Sequence, residues 1–98
     1  MTLEAYAPDE SEWTLDPGIR NAVLILRSAG LETLESCEGG SGHSYPVPTV
    51  RFNGGAWEGH KAFAVAMEHG LPVTGVRRVY DVCDLQLNGP WWEITFRP

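Results

Sequence analysis

The sequence predicts a small α+β domain, and three observations support this prediction. After Asp16-Pro17, apolar residues recur at the spacing of one helix face, namely at Ile19, Ala22, Val23 and Leu26. From Trp91 to Phe96 large apolar side chains alternate with polar ones, which is typical of a strand with one buried face. The chain has 98 residues, 43% hydrophobic and 20% charged, so we expect one globular domain over residues 1–98.

Two helices are predicted from periodicity and from their end signals. Asp16 is a favourable N-cap, Pro17 suits the first turn, and Gly30 is a typical residue after a helix end. The second helix is expected over residues 57–69, and Gly70 and Pro72 prevent its continuation. The residues predicted on its buried face are Phe63, Ala66 and Met67.

Five strands complete the predicted domain, at residues 3–7, 31–37, 47–52, 73–82 and 91–96. Asn88-Gly89 is the strongest hairpin signal in the chain and predicts the turn before the last strand. The first six elements then match the split β-α-β order of a ferredoxin-like domain, and a C-terminal hairpin adds one strand. We therefore expect a mostly antiparallel sheet with both helices on one face.

The formal net charge of −6 lies entirely in residues 1–38, since residues 39–98 carry five acids and five bases. Such a surface repels nucleic acid and attracts basic proteins, although acidic surfaces also simply favour solubility. The acidic segment 1–15 is predicted to be partly irregular. We expect a basic host protein or protein–nucleic-acid complex as the partner, contacted by Asp9, Glu10, Glu12 and Asp16.

The sequence favours a cytoplasmic location. No run approaches the roughly 20 apolar residues of a membrane helix, and the first residues lack the basic and apolar regions of a signal peptide. Cys37 and Cys83 are too few for a disulfide framework, so both thiols are expected to stay reduced.

The densest polar chemistry lies between Ser36 and His43. A nucleophilic cysteine needs a nearby base, so Cys37, His43 and Glu38 are the candidates for catalysis. A small ligand could instead be held by a set comprising Ser36, Gly39, Gly40, Arg51 and Glu93. The third interpretation is structural, because glycines also allow a sharp turn that Ser36 and His43 could close with hydrogen bonds.

Metal, phosphate and base-stacking sites are less well supported by the sequence. Cys37, His43, His60 and Cys83 offer metal donors, but none forms the closely spaced pair typical of structural zinc, so we predict no metal site and no cofactor. The glycines precede neither a lysine nor a helix, which a phosphate loop requires. Trp57, Tyr45 and Trp91 could stack on a ligand, but the overall charge disfavours nucleic acid.

Glu93 alternates with large apolar residues on the last predicted strand. On an open sheet face it would lie in water. If it were buried, it would need a cationic partner, which Arg51 or Arg77 could supply.

Three segments of this chain together resemble a group of small bacteriophage and prophage proteins that have no established activity. They are Leu34-Glu35-Ser36-Cys37-Glu38-Gly39-Gly40-Ser41-Gly42-His43, Pro48-Thr49-Val50-Arg51-Phe52 and Gly89-Pro90-Trp91-Trp92-Glu93-Ile94. The resemblance spans residues 16–96 and implies a mobile-element protein acting in the host cytoplasm. Ser36-Cys37-Glu38-Gly39 also resembles a stretch of the wybutosine-synthesis tRNA methyltransferase family, but Gly40 replaces that family's basic residue, so this likeness indicates only where a site lies.

The expected function is therefore that of a small acidic binding protein without enzymatic activity. The phage resemblance suggests an inhibitor of a host nucleic-acid-handling defence complex, in the manner of an anti-CRISPR protein. The alternative is a small-ligand-binding protein or enzyme that uses the Ser36–His43 loop. An exposed last strand could also pair across a two-fold axis and form a homodimer.

Overall fold

The computed structural model describes residues 15–98, which form two helices packed on one face of a four-stranded sheet. In chain order the elements are α1 (Pro17–Ser28), β1 (Glu32–Cys37), β2 (Thr49–Asn53), α2 (Glu58–Glu68), β3 (Val73–Cys83) and β4 (Gln86–Phe96). The strand order is β1-β2-β4-β3, and every neighbouring pair is antiparallel. The predicted α+β class with an antiparallel sheet is confirmed.

The ferredoxin-like order depends on a strand at residues 3–7, which lies outside the described residues and stays a prediction. Asp9, Glu10 and Glu12 also lie outside the described residues, so their contact with a partner stays a prediction. In the described sheet β4 lies between β2 and β3, and the edges are β1 and β3. The prediction of an exposed last strand is wrong, because the apolar face of β4 must lie centrally to cover the core, so β4 offers no free edge between Trp92 and Thr95.

The core lies between the helices and one face of the sheet. The predicted face of α1 is buried, as are the alternating residues of the two central strands; these core residues are Ile19, Ala22, Val23, Leu26, Val50, Phe52, Ile94 and Phe96. Removal of this apolar surface from water provides most of the stabilisation of such a domain. The polar faces of β2 and β4 point away from the helices, so charged side chains can cluster on that side of the sheet.

The N-terminus of α1 is capped by a residue distant in sequence. Asp16 occupies the N-cap position, but its side chain makes no capping hydrogen bond within the helix. Instead the Gly18 N–H donates to Glu38 Oε1 (2.9 Å), and the Glu38 N–H donates to Asp16 Oδ2 (3.1 Å). This exchange joins the start of α1 to the end of β1, where the glycine-rich loop begins.

The buried face of α2 differs from the predicted one. Gly59, Ala62 and Ala66 are buried, whereas Phe63 and Met67 are 47% and 54% exposed. The small residues allow close approach to the sheet: a Cβ atom on Gly59 would lie 2.5 Å from the Trp92 ring. Ala66 was therefore predicted correctly, and the two larger side chains flank the contact because no space remains for them beneath the helix.

The β3–β4 turn also differs from the prediction. It consists of Asp84 and Leu85, both at positive φ (50° and 63°), while Asn88-Gly89 lies within β4. The cross-strand pair Val76↔Ile94 belongs to the core, and its register places the turn near residue 85. A turn at Asn88-Gly89 would shift β4 along β3 and break that buried pair, so core packing overrides the local turn preference.

Candidate functional site

The β1–β2 loop, residues 38–48, is shaped by its glycines. Gly39, Gly40 and Gly42 all have positive φ, between 82° and 102°. At Gly39 a Cβ atom would lie 2.3 Å from the Val47 carbonyl carbon, so the two ends of the loop approach more closely than a side chain permits. The Gly40 N–H donates to the Pro46 carbonyl (3.1 Å), which holds the loop in a compact form.

This compact loop brings three different donor groups together at the start of α1. A carboxylate oxygen of Asp16, the Cys37 sulfur and a ring nitrogen of His43 all lie within 4.8 Å of one another. We call these three residues, with Glu38, the loop cluster. The His43 Nδ1 atom is 3.8 Å from Asp16 Oδ2, and Nε2 is 3.5 Å from Glu38 Oε2. The imidazole therefore lies between two carboxylates.

The thiol of the loop cluster is not placed for attack on a large substrate. Cys37 is only 5% exposed, and its sulfur accepts a hydrogen bond from the Gly39 N–H (3.4 Å). His43 is the exposed member of the cluster. A cleft of about 360 Å³ lies beside the start of α1 and includes Gly18, Glu38 and Gly39 in its lining.

The sequence-predicted ligand residues separate into two groups. Cys37, Glu38 and His43 belong to the loop cluster, which Asp16 joins from α1. Arg51 and Glu93 lie further along the sheet, directly opposite each other in the β2–β4 register. The structure therefore contains two polar sites where the sequence suggested one. Of the other predicted ligand residues, Ser36 is half-buried and pairs with Val50 in the β1–β2 ladder, whereas Gly39 and Gly40 shape the loop.

The second polar site is a row of charges across the sheet face away from the helices. Cross-strand register aligns Glu35, Arg51, Glu93 and Arg77. Arg51 Nε donates to Glu93 Oε2 (3.1 Å), and Arg77 Nη2 donates to Glu93 Oε1. Because Glu93 is only 4% exposed, its charge depends on these two guanidinium groups. The interpretation of Glu93 as a residue in water is therefore wrong.

Asp81 and Tyr45 also contact the Arg51 guanidinium group. Asp81 accepts a hydrogen bond from Arg51 Nη1 at 2.9 Å, and the Tyr45 ring lies 5.5 Å from the guanidinium carbon. The Tyr45 hydroxyl donates to Glu35 Oε1 (3.0 Å). All polar groups around Arg51 are thus matched to each other, which makes this row a structural network and a poor receptor for a further ligand.

Tyr45 supplies a pH-dependent test of this network. Partial burial, and next the hydrogen bond to Glu35, raise the pKa of Tyr45 from 10.0 to about 12. The folded state then holds the phenolic proton more tightly than the unfolded chain. Its contribution to stability is complete below pH 10 and is lost as the pH rises through 12. In a spectroscopic phenolate titration of the three tyrosines, Glu35→Gln should lower the pKa of Tyr45, and Tyr45→Phe should remove the transition near pH 12. A titration curve that Tyr45→Phe changes only near pH 10 would contradict the network.

A cleft between α2 and the sheet offers little acid–base chemistry. It has a volume of about 460 Å³ and lies between α2 and β3. Its lining is mostly apolar and includes Phe63, Val76 and Trp92, with His60 as its one titratable group. This cleft therefore gives no support to an enzymatic function.

Four exposed apolar side chains lie on the far part of the β3–β4 hairpin, apart from Trp57, which is 77% exposed just before α2. β2 pairs with β4 only from Trp92 to Thr95, so residues 80–89 pair only with each other. We call these residues the hairpin arm. Its exposed apolar residues are Tyr80, Val82, Leu85 and Leu87, at 56%, 71%, 98% and 69%. Val82 and Leu87 are directly opposite each other and therefore share one face of the arm.

Sequence reasoning missed two functional features. One is the place of Asp16 beside Cys37 and His43, for which the sequence contains no signal, since 20 residues lie between Asp16 and Cys37. The other is the hairpin arm, whose signal is the apolar residues on both sides of Asp84-Leu85. That signal was obscured by the assignment of the turn to Asn88-Gly89.

Neither helix within residues 15–98 is long and apolar enough to cross a membrane.

Known proteins give no further information about the fold or the two polar sites. No family model, curated protein or solved structure matches this chain.

Proposed function

We propose that this chain is a small acidic binding protein that contacts a basic protein partner through the hairpin arm. One observation carries the proposal: Leu85 is 98% exposed at the tip of the arm and has a φ of 63°. Positive φ costs a leucine about 1 kcal/mol, and its exposure to water contributes nothing to folding. The fold alone therefore gives no reason for a leucine there, whereas a partner surface does.

The chemistry of the arm indicates what it would bind. Val82 and Leu87 share one face of the arm and add apolar surface to that of Leu85 at the tip. Burial of each such side chain contributes about 1.5–3 kcal/mol. Asp81 of the arm is paired with Arg51, so Asp84 is the charge that the arm offers to a partner, and residues 80–89 contain no base. An apolar pocket bordered by basic residues is the complementary surface.

Overall charge supports the same kind of partner. A net charge of −6 accelerates association with a basic protein and opposes contact with nucleic acid. Of the acids expected to contact the partner, Asp16 accepts the Glu38 N–H and faces His43, so we assign it to the loop cluster instead. Asp9, Glu10 and Glu12 remain proposed contributors to this long-range attraction.

The resemblance to phage and prophage proteins supports a host target. Proteins that handle nucleic acid carry basic grooves, and an acidic protein of this size could occupy such a groove. We therefore propose a nucleic-acid-handling defence complex as the target and inhibition as the outcome, in the manner of an anti-CRISPR protein. A homodimer remains the alternative use of the arm.

The decisive experiment removes the apolar face of the arm without disturbing its strands. The arm variant is Val82→Thr/Leu85→Asn/Leu87→Thr, in which threonine retains β propensity and asparagine tolerates positive φ. After affinity capture identifies a partner in host lysate, calorimetry with the purified partner should show at least about 100-fold weaker binding. The Tm should stay equal to that of the wild type or increase.

The matched control changes the opposite face of the same arm. Cys83 and Gln86 are a cross-strand pair there, so Cys83→Ser/Gln86→Thr should bind the partner with wild-type affinity. The variant Asp9→Asn/Glu10→Gln/Glu12→Gln should slow association at low salt and weaken its salt dependence. Equal affinity of the arm variant and the wild type would exclude the arm as the contact. A dimer in sedimentation that only the arm variant loses would instead establish self-association.

The loop cluster supports a second candidate function, the binding of a small ligand. The specific observation in its favour is the convergence of a carboxylate, a thiol and an imidazole within 4.8 Å. The short separation of these three donor atoms suits a ligand of the size of a single ion.

A further inference from the structure

The geometry of the loop cluster points to a binding site for one divalent transition-metal ion, and we propose that Asp16, Cys37 and His43 coordinate Zn²⁺. Their donor atoms lie within 4.8 Å of one another although they come from three parts of the chain: the start of α1, the end of β1 and the glycine-rich loop. Oxygen, sulfur and nitrogen ligands of these types are those that zinc accepts in proteins.

The distances are compatible with coordination after small side-chain shifts. Zinc bonds of about 2.0–2.3 Å in tetrahedral geometry place neighbouring donor atoms roughly 3.3–3.8 Å apart. His43 Nδ1 and Asp16 Oδ2 are 3.8 Å apart, which already falls at that limit. The widest separation in the group is below 4.8 Å, so contraction by about 1 Å suffices. His43 is exposed and Asp16 is partly exposed at the start of α1, so both side chains have room to adjust.

Each proposed ligand also has an outer partner that orients it. Glu38 Oε2 lies 3.5 Å from His43 Nε2, so Nδ1 can bind the metal while Nε2–H donates to the carboxylate. The Gly18 N–H holds the other oxygen of that carboxylate. Asp16 accepts the Glu38 N–H, and the Cys37 sulfur accepts the Gly39 N–H.

Charge gives an independent reason for a cation at this place. Asp16 and Glu38 bring two carboxylates to the exposed imidazole of His43, and among the described residues no lysine or arginine forms an ion pair with either carboxylate. A divalent ion bound by the Cys37 thiolate and Asp16 would neutralise both ligands. Thiolate and imidazole ligands select zinc over magnesium and calcium, which prefer oxygen donors. The exposed side of His43 leaves a fourth position for water.

Metal binding would join parts of the fold that are distant in sequence. Asp16 precedes α1, whereas His43 lies in the loop after β1, so one ion would link the helix start to the glycine-rich loop. We therefore expect zinc to stabilise the folded chain. Binding to the folded state alone at 100 times the Kd should raise the Tm by about 10 °C or more.

The test uses the full chain, freed of metal by a chelator and titrated with Co²⁺ as a spectroscopic probe and then with Zn²⁺. One equivalent of Co²⁺ should produce a thiolate-to-cobalt charge-transfer band and the visible bands of a tetrahedral site. Zn²⁺ should displace it stoichiometrically and raise the Tm. Cys37→Ser should lose the charge-transfer band, whereas Cys83→Ser, which changes the exposed second cysteine, should retain it.

Histidine variants keep the proposal testable if Cys37→Ser disturbs the buried strand end. His43→Ala changes an exposed residue and should weaken binding at least about 100-fold, whereas His60→Ala on α2 should bind as the wild type does. Glu38→Gln should weaken binding about 10-fold and retain the charge-transfer band, as an outer partner would. Absence of the band in the wild type, or its loss in Cys83→Ser with retention in Cys37→Ser, would overturn the proposal. Equal affinity of His43→Ala and the wild type would overturn it too.

Discussion

Replacing Glu93 by glutamine is expected to destabilise the protein by about 2–4 kcal/mol. Glu93 is 4% exposed and receives hydrogen bonds from both Arg51 and Arg77. Loss of one partner of a buried charge pair costs about 3–5 kcal/mol, because the remaining charge has lost its compensation. The cost is reduced here, since Arg51 retains Asp81 and the Arg77 side chain is 67% exposed.

Glu35 provides a control on the same row of charges. It is also a carboxylate on the open sheet face, but it is exposed to solvent and bonded to Tyr45. We expect Glu35→Gln to change the free energy of unfolding by less than about 1 kcal/mol. Urea unfolding followed by circular dichroism measures both variants. If Glu93→Gln were as stable as Glu35→Gln, the row would be a solvated surface feature and not part of the folded core.

The second large effect is expected at Gly39, where alanine should destabilise the fold by about 2–4 kcal/mol. Two costs combine: the residue has a φ of 83°, and its new Cβ would lie 2.3 Å from the Val47 carbonyl carbon. Positive φ costs roughly 1 kcal/mol, and relief of a clash with backbone adds about 1–3 kcal/mol. The loop must open to accept the methyl group, which would move His43 away from Cys37.

A substitution at Gly40 distinguishes the cost of positive φ from the cost of the clash with Val47. Its φ is 102°, but no atom lies within 4 Å of the position that a Cβ would occupy. Gly40→Ala should therefore cost only the conformational strain, about 1 kcal/mol. Thermal unfolding of Gly39→Ala and Gly40→Ala compares the two losses of stability directly. Similar losses at both positions would show that Val47 and Pro48 can move aside, so that the close approach of the loop ends is not essential.

Features that depend on residues close in sequence were predicted well. The buried face of α1 follows from apolar spacing alone, and the core face of β4 follows from alternation of Trp92, Ile94 and Phe96. Gly30 and Gly70 end the two helices at positive φ, as predicted from their type and position. In each case the determining interactions lie within one element, so the pattern contains the necessary information.

Features that depend on packing between elements were not predictable in this way. The predicted buried face of α2 was correct for Ala66 but included Phe63 and Met67, whereas the close approach of Gly59 to Trp92 turns Gly59 and Ala62 towards the sheet. Asn88-Gly89 is a strong turn sequence, yet the core register of Val76 with Ile94 places the turn at Asp84-Leu85. Packing energy summed over a whole strand exceeds the preference of two turn residues.

For the candidate sites, the sequence by itself determined which chemical groups are present, and the tertiary structure decided how they are combined. Cys37, Glu38 and His43 were recognisable because they occupy one short glycine-rich stretch. Asp16 joins them only because α1 packs beside the end of β1, and Glu93 becomes a buried charge only because three strands align it with Arg51 and Arg77. Distances between groups far apart in sequence are set by the packing of helices and strands, and no local pattern encodes them.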